Sequence, residues 1–224
     1  MRTSQIVTII DYNRGNIFSI ENAIKHVGGN CRVSGDPIEI SNADKLILPG
    51  VGAFGDAMAE LQKFHLVEAI YEFIKRGKHI LGICLGMQLL FSESYEFGHY
   101  QGLDLIKGKV IRFNEPKDDD NKFKIPHIAW CPIKSPELGT GSDRNSDWNH
   151  SILQRIVSGT YFYFVHSYIC VPENEENVLA ESYYGYNRFC SVVRYYNVWG
   201  CQFHPEKSGI NGLKIYEDFI HNID

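Results

Sequence analysis

The sequence predicts an α/β fold: a central, mostly parallel sheet flanked by helices, with an antiparallel β addition. Three observations predict it. Strand and helix patterns alternate through residues 6–93, as in parallel sheets that are covered on both faces. Four strand-like segments separated by turns occupy much of residues 161–203. The 224 residues suit one substantial domain, which we expect to span residues 1–224.

The first half contains three strand patterns and three helix patterns. Short aliphatic or β-branched runs predict strands at residues 6–10, 45–48 and 79–83. Helical spacing of apolar residues predicts helices at residues 17–27, 56–76 and 85–93. Asp56 is the expected N-cap of the second helix, and Gly77 is its expected stop.

The second half is predicted to be mainly β structure. Strands are expected at residues 109–113, 161–170, 178–184, 190–195 and 198–203. A closing helix is expected at residues 212–223. Residues 135–149 are rich in Ser, Gly, Asp and Asn, which indicates a long loop or an insertion.

Composition and charge argue against several classes of protein. A hydrophobic fraction of 44% and a charged fraction of 22% are ordinary for a globular chain. The net charge of −5 argues against nucleic-acid binding, which usually needs a basic surface. The sequence has neither an apolar run of membrane-spanning length nor a signal-peptide pattern at its start, so we expect a cytoplasmic protein with no membrane segment. None of the six cysteines forms a C-x-x-C pair, so we expect no metal site and mostly reduced thiols.

A candidate nucleophile lies in residues 82–86, Gly-Ile-Cys-Leu-Gly, where a predicted strand becomes a predicted helix. This is the G-x-nucleophile-x-G elbow, with Cys84 in place of serine. The sharp turn would project the thiol beyond the strand, and the N-terminus of the following helix would favour a thiolate. Two glycines are a weak signal, and a buried cysteine at a tight strand–helix junction is the alternative interpretation.

A candidate base lies in residues 203–206, Phe-His-Pro-Glu. A thiolate nucleophile needs a base, and the base needs an orienting group. His204 and Glu206 would supply these two roles, and the proline between them would stiffen their relation. A lone histidine is more often structural, but the nearby carboxylate and the position at a strand end favour catalysis.

A glycine-rich loop, Pro-Gly-Val-Gly-Ala-Phe-Gly at residues 49–55, follows a predicted strand and precedes a helix. Its letters match G-x-G-x-x-G, but a dinucleotide site would need an acidic residue about 20 residues further on, at the end of the next strand. That strand ends at the candidate nucleophile instead. The loop therefore suits a second role, in which a backbone N–H stabilises negative charge that develops during thioester chemistry.

Together these motifs resemble those of the class I (triad) glutamine amidotransferases, and within them the glutaminase subunits of imidazole glycerol phosphate synthases. The resemblance covers essentially the whole chain. It is carried by five segments in family order: residues 10–16 (Ile-Asp-Tyr-Asn-Arg-Gly-Asn), 49–54, 82–88, 163–168 (Tyr-Phe-Val-His-Ser-Tyr) and 202–209 (Gln-Phe-His-Pro-Glu-Lys-Ser-Gly). Five motifs at family-like spacing make the resemblance specific.

The resemblance implies a role for each matching residue. Cys84 would attack the side-chain amide of glutamine, His204 would move the protons, and Glu206 would orient His204. The oxyanion would be stabilised by Leu85 together with Gly50 or Val51, the latter pair after a peptide rotation. The residues implied to bind glutamine are Gly52, Gln88, Glu96, His166, Ser167 and Tyr168. No cofactor is implied.

The resemblance also implies a partner, because the released ammonia must reach a synthase. In the histidine pathway that partner is a (β/α)8 barrel cyclase, which would form a heterodimer with this chain. Trp130, Tyr168 and Lys207 should lie nearest the interface. The sequence departs from the subfamily at Ala129 and Cys131, where Gly and Asn are usual, so a sugar amidotransferase of surface-polysaccharide synthesis remains the alternative partner.

Two other classes of protein remain open. A free-standing hydrolase of γ-glutamyl bonds would need no partner. A catalytically inactive binding module should have lost a triad residue, and all three are present.

Overall fold

The computed structural model describes residues 5–136 and 148–223. Most of the predicted loop at residues 135–149 lies outside the described residues. The strands are β1 (Ile6–Ile10), β2 (Asn30–Ser34), β3 (Lys45–Leu48), β4 (Ile80–Ile83), β5 (Phe91–Ser94), β6 (Tyr100–Gln101), β7 (Ile106–Arg112), β8 (His127–Pro132), β9 (Tyr161–His166), β10 (Tyr168–Pro172), β11 (Val178–Tyr184), β12 (Asn187–Tyr195) and β13 (Val198–Cys201). The helices are α1 (Ile17–His26), α2 (Pro37–Ser41), α3 (Phe54–Lys63), α4 (Leu66–Lys75), α5 (Leu85–Leu89) and α6 (Gly209–His221).

The central sheet has seven strands in the order β11-β12-β13-β4-β3-β1-β2. The five strands from β13 to β2 run parallel, and β12 and β11 extend the sheet antiparallel. A separate four-stranded sheet, β10-β7-β5-β6, and the antiparallel pair β8-β9 complete the β structure of the described residues. The predicted parallel sheet with an antiparallel addition is confirmed.

Side chains that alternate along the central strands pack into two hydrophobic clusters, one on each face of the sheet. Ile47 joins a cluster with residues of α1 and α6, whereas its neighbours Leu46 and Leu48 join a cluster with α3 and α4. Both faces of the sheet are therefore covered, as a parallel sheet requires. No helix among the described residues has both the length and the apolar character needed to cross a bilayer.

Two predicted helices are wrong in extent. The helix expected at residues 56–76 is two helices, α3 and α4, because His65 adopts a left-handed conformation with φ of 57° between them. Ala53, not Asp56, is the N-cap of α3. The helix expected at residues 85–93 ends at Leu89, because Phe91–Ser94 pairs with β6 and β7 as a strand.

Two predicted strands also differ, and several elements were not predicted. The strand expected at residues 161–170 is two strands, since β9 pairs with β8 whereas β10 pairs with β7. The strand expected at residues 198–203 stops at Cys201, although the backbone N–H of Gln202 still donates to the carbonyl of Ser191 on β12 at 2.9 Å. The sequence analysis did not assign β2, α2, β6 or β8, which are short or have mixed polarity.

Candidate active site

Three neighbouring strands deliver the candidate catalytic segments to one edge of the sheet. The parallel strands β13, β4 and β3 are adjacent, with Gly200 opposite Gly82 and Gly82 opposite Leu48. The base segment follows β13, the cysteine follows β4 and the glycine-rich loop follows β3. Catalytic groups of open α/β sheets gather at this carboxyl edge, so the topology brings the three sequence motifs together.

Cys84 has the strained backbone of a nucleophile elbow. Its φ of 55° and ψ of −109° lie outside the regions that a non-glycine residue normally adopts. Its backbone N–H donates to the carbonyl of Cys201 at 2.8 Å, which ties the elbow to β13. A Cβ on Gly86 would lie 1.8 Å from the carbonyl oxygen of Leu48, so the turn can pack against β3 only with glycine at that position.

His204 and Glu206 form a buried pair. Nδ1 of His204 lies 2.8 Å from Oε1 of Glu206, and the side chains are 5% and 1% exposed. Burial alone would lower the pKa of His204, but the Cys84 sulfur and the Glu206 carboxylate raise it to about 10. Nε2 of His204 makes no hydrogen bond within the described part of the chain. This nitrogen is therefore left to exchange a proton with the thiol or with a bound substrate.

A cavity of about 300 Å³ opens over Cys84 and His204. Its volume suits a small molecule. The predicted site residues that line it are Val51, Gly52, Cys84, Leu85, Gln88, Glu96, His166, Ser167 and His204. Glu206 lies behind His204, and Gly50 is buried under the elbow, where a Cβ would meet the backbone nitrogen of Gly86 at 2.8 Å.

Glu96 and Gln88 supply polar groups to the lining of the cavity. One oxygen of Glu96, Oε2, accepts the backbone N–H of Phe54 at 2.6 Å at the start of α3. Burial raises the pKa of Glu96, an effect that the Phe54 bond partly offsets. Gln88 donates through Nε2 to the carbonyl of Tyr168 at 3.2 Å.

Tyr168, an expected glutamine contact, is not among the residues that line the cavity. Its side chain meets Phe97 edge-on, with 6.2 Å between ring centroids. Its backbone carbonyl instead accepts from Gln88 and lies 2.9 Å from Nδ1 of His166. The backbone of Tyr168 therefore helps to position two residues that line the cavity, Gln88 and His166.

The sequence analysis missed three residues around the nucleophile. Gln202 is fully buried and directs its side-chain amide nitrogen at the Cys84 sulfur, 3.8 Å away. The carbonyl of Val165 lies 3.8 Å from the same sulfur. His127 lies behind His166, with 3.1 Å between Nδ1 of the first and Nε2 of the second. Gln202 stands in a motif that the sequence analysis quoted, but its role depends on strand register that a local motif does not carry.

Of the three expected interface residues, Trp130 and Lys207 are exposed and Tyr168 is half-buried, and none of them lines the cavity. Trp130 is 52% exposed and packs edge-on against Tyr163, the residue directly opposite it in the β8–β9 ladder. Cys131, one of the two departures from the subfamily, is buried and directs its sulfur at the carbonyl of Tyr183, 3.3 Å away. This departure therefore lies on the core side of β8, away from the surface that Trp130 marks.

The chain is similar to known proteins over nearly its whole length. The family model for "Glutamine amidotransferase class-I" matches residues 8–223. The chain is 45% identical over 214 residues to the imidazole glycerol phosphate synthase subunit HisH of Sulfurimonas denitrificans, covering 96% of this chain and 97% of that protein. It is 44% identical over 218 residues to the subunit of the same name from Wolinella succinogenes, at 96% and 98% coverage.

Solved structures support the fold. A structure described as a glutamine amidotransferase superposes with a TM-score of 0.69 at 16% identity, over 97% of this chain and 99% of that one. PurLQS from Thermotoga maritima gives a TM-score of 0.69 at 18% identity, over 98% and 99%. At these identities the likeness concerns the fold alone.

Proposed function

The chain belongs to the class I glutamine amidotransferase family, and we propose that it is the glutaminase subunit of an imidazole glycerol phosphate synthase, acting in histidine biosynthesis. One observation supports the proposal most strongly. Cys84 and His204 line one cavity, and Glu206 pairs with His204, in a chain that is 45% identical to a subunit of that name over nearly its full length. We place the reaction in the cytoplasm, where the six free thiols would stay reduced.

The first chemical step forms a thioester. Nε2 of His204 takes the proton of the Cys84 thiol, and the raised pKa of His204 favours the resulting imidazolium at neutral pH. The sulfur then attacks the carbon of the side-chain amide of glutamine. The C–N bond breaks as His204 returns its proton to the nitrogen, which leaves as ammonia. Glu206 holds the imidazole in the required tautomer throughout.

The second step regenerates the enzyme. Water gives one proton to His204 and attacks the thioester carbonyl, and the C–S bond then breaks. The products are glutamate and free Cys84. His204 returns its proton to the sulfur as the C–S bond breaks, and the new carboxyl group releases the other proton of the water. No step calls for a cofactor.

Substrate binding uses the two sides of the cavity. Glu96 is anchored through one oxygen to Phe54, so its other oxygen can accept from the substrate's α-ammonium group. Gln88 commits Nε2 to protein partners, which leaves Oε1 as an acceptor for the substrate. Gly52, His166 and Ser167 shape the remaining wall. Such an arrangement would hold glutamine with its amide over Cys84.

The oxyanion donors come from two peptide segments. The N–H of Leu85 follows the nucleophile, as in other elbows. The second donor is the N–H of the Gly50–Val51 peptide. The hydroxyl of Tyr12 donates to the carbonyl of Pro49 at 2.7 Å, which fixes the preceding peptide and leaves the Gly50–Val51 peptide as the one that can rotate.

The surface that we assign to the partner lies on β8. Ile128 and Trp130 alternate outward along that strand and are 57% and 52% exposed. Large apolar side chains in an exposed row mark a docking surface, and Lys207 lies exposed after the base segment. We propose that this surface docks a (β/α)8 barrel cyclase, whose interior receives the ammonia.

The experiment reconstitutes the chain with a barrel cyclase and, in parallel, with a sugar amidotransferase. The proposal predicts a stable heterodimer and glutamine-dependent synthesis with the cyclase and its ribonucleotide. Synthesis only with the sugar amidotransferase would move the chain to the polysaccharide pathway. Full glutamine hydrolysis without either partner would indicate a free-standing hydrolase. Trp130→Ala should weaken docking, whereas the exposed Tyr196→Ala, on the turn between β12 and β13, is the matched control.

A further inference from the structure

Gln202 is the first residue after β13, directly beside the elbow that β4 delivers. The preceding pair in the ladder is Cys201 opposite Ile83, so Gln202 and Cys84 are the next residues along two neighbouring strands and lie side by side. The side chain of Gln202 is fully buried. A buried amide must find partners for both ends, and the partners of this one fix its orientation.

The orientation follows from a backbone carbonyl. The carbonyl oxygen of Tyr168 can only accept, so Gln88 must turn its NH2 group toward it. The same nitrogen lies 3.1 Å from Gln202, which must therefore present its oxygen, Oε1, to Gln88. The remaining end of Gln202 is then its NH2 group, and that group lies 3.8 Å from the Cys84 sulfur. The reverse orientation would set two donors against each other at Gln88.

We propose that Gln202 is a further catalytic residue, which donates an amide N–H to the sulfur of Cys84. An N–H donor stabilises negative charge on sulfur and fixes the direction in which the sulfur points. The contact favours the thiolate before attack. It also favours departure of the sulfur when water cleaves the thioester, because negative charge returns to the sulfur in that step. The inference rests on the proposed role of Cys84 as nucleophile.

Two substitutions separate this role from simple packing. Gln202→Met keeps a similar length and volume but removes the donor. Gln202→Glu keeps the acceptor for Gln88 but presents an oxygen to the sulfur. A packing role predicts that the methionine variant behaves like the wild type, because its volume is conserved without adding a charge. The catalytic role predicts that both variants are impaired, and the glutamate variant more severely.

The experiment measures the rate at which iodoacetamide alkylates Cys84 at a fixed pH near 7.5, followed by mass spectrometry of the Cys84 peptide. Glutamine hydrolysis in the reconstituted complex is measured in parallel. We expect alkylation and kcat to fall about tenfold to a hundredfold in both variants, the range that a hydrogen bond to a charged group represents. KM should change little, since the amide touches the sulfur rather than the substrate. Partner binding and the thermal midpoint monitor the fold.

Gln154→Met is the matched control, because it removes a side-chain amide that donates to Asp218 at 3.0 Å, outside the cavity. It should leave the alkylation rate unchanged. Alkylation and kcat within twofold of wild type in folded Gln202→Glu or Gln202→Met would overturn the inference. If neither variant folds, Gln202→Asn is used instead, because its shorter side chain moves the amide away from the sulfur. Alkylation and kcat within twofold of wild type in that variant would likewise overturn the inference. Failure of the proposed function looks different, because wild-type Cys84 itself would then be unreactive.

Discussion

The backbone N–H of Cys84 donates to the carbonyl of Cys201 at 2.8 Å. This bond continues the β4–β13 ladder one step beyond its last residue pair, Cys201 opposite Ile83. The nucleophile and the base are therefore positioned by one ladder rather than by two independent loops. Catalytic geometry that depends on the rigid sheet is more exact than geometry built on loops alone.

The free subunit should be a poor glutaminase. The Gly50–Val51 peptide can rest with its carbonyl toward the site, and a missing oxyanion donor costs about 2.7–4 kcal/mol, or roughly 10²–10³ in rate. Docking of the cyclase with its ribonucleotide should therefore raise glutamine hydrolysis by about two orders of magnitude or more. Steady-state hydrolysis with and without the partner checks this. Equal rates in the two conditions would contradict the gating of the oxyanion donor.

His204→Ala and Glu206→Ala should both slow glutamine hydrolysis, the first more severely. His204 moves the protons, and general acid–base catalysis contributes about 10²–10⁴-fold. Glu206 acts through His204, whose Nδ1 lies 2.8 Å away. Comparison of kcat for the two variants in the reconstituted complex is the measurement. Equal or negligible losses would show that the pair is misassigned.

Glu206→Gln should also move the alkaline limb of the pH–rate profile. The Glu206 carboxylate helps to raise the pKa of His204 to about 10 against the effect of burial. Without that charge the imidazolium loses its proton at lower pH, so the fall in kcat on the alkaline side should begin at lower pH. An unchanged alkaline limb would mean that His204 is not the proton donor to ammonia.

The buried pair His127 and His166 should make folding stability depend on pH. Burial lowers the pKa of His127 to about 4 and that of His166 to about 3. Between pH 6.5 and 5 the unfolded chain binds protons that the folded chain does not, so stability falls as pH falls. The slope is at most about 1.4 kcal/mol per pH unit for each histidine. His204 opposes this slope near pH 6.5, where its raised pKa keeps it protonated while the unfolded histidine is only half protonated, and it adds almost nothing near pH 5, where both states are protonated.

Urea unfolding at pH 5.0, 5.75 and 6.5 measures this slope. His127→Gln should flatten it, whereas the exposed His26→Gln controls for the removal of a histidine as such. An identical slope in His127→Gln and wild type would contradict the assignment.

Lys45→Met should destabilise the fold without touching the site. The Lys45 ammonium is buried and donates to the carbonyls of Phe219 and Ile220 at 2.8 and 3.0 Å, and also to that of Ile223. Loss of the cation leaves these groups at the end of α6 without their donor, at a cost of about 1–3 kcal/mol. The thermal midpoint should fall by several degrees. The surface variant Lys25→Met is the control, and a Lys45→Met protein as stable as wild type would contradict the interpretation.

Local motifs were enough to predict the parallel sheet and to single out Cys84, His204 and Glu206, which the structure brings together. Cys84, His204 and Gly50 each lie in a short segment whose letters, flanked by a strand pattern, carry their own signal. Long-range pairing was not predictable in the same way. β8 is held by β9, which begins 29 residues after β8 ends at Pro132, and the contact of Gln202 with Cys84 depends on which strands are neighbours. The break at His65 also gave no signal, since no glycine or proline marks it.

The most direct test asks whether Cys84 carries the glutamyl group of the substrate during turnover. The reconstituted complex is mixed with isotopically labelled glutamine, quenched with acid during turnover, and digested for mass spectrometry. A glutamine-like diazo-ketone serves as a second, irreversible label. If Cys84 is the nucleophile, the labelled glutamyl group and the diazo-ketone should both be found on the Cys84 peptide, with the other five cysteines unlabelled. Cys84→Ala should also lose glutamine-dependent synthesis while ammonia-dependent synthesis by the partner continues. Glutamine hydrolysis that persists in Cys84→Ala, or label spread over several cysteines, would contradict the role of Cys84 as nucleophile.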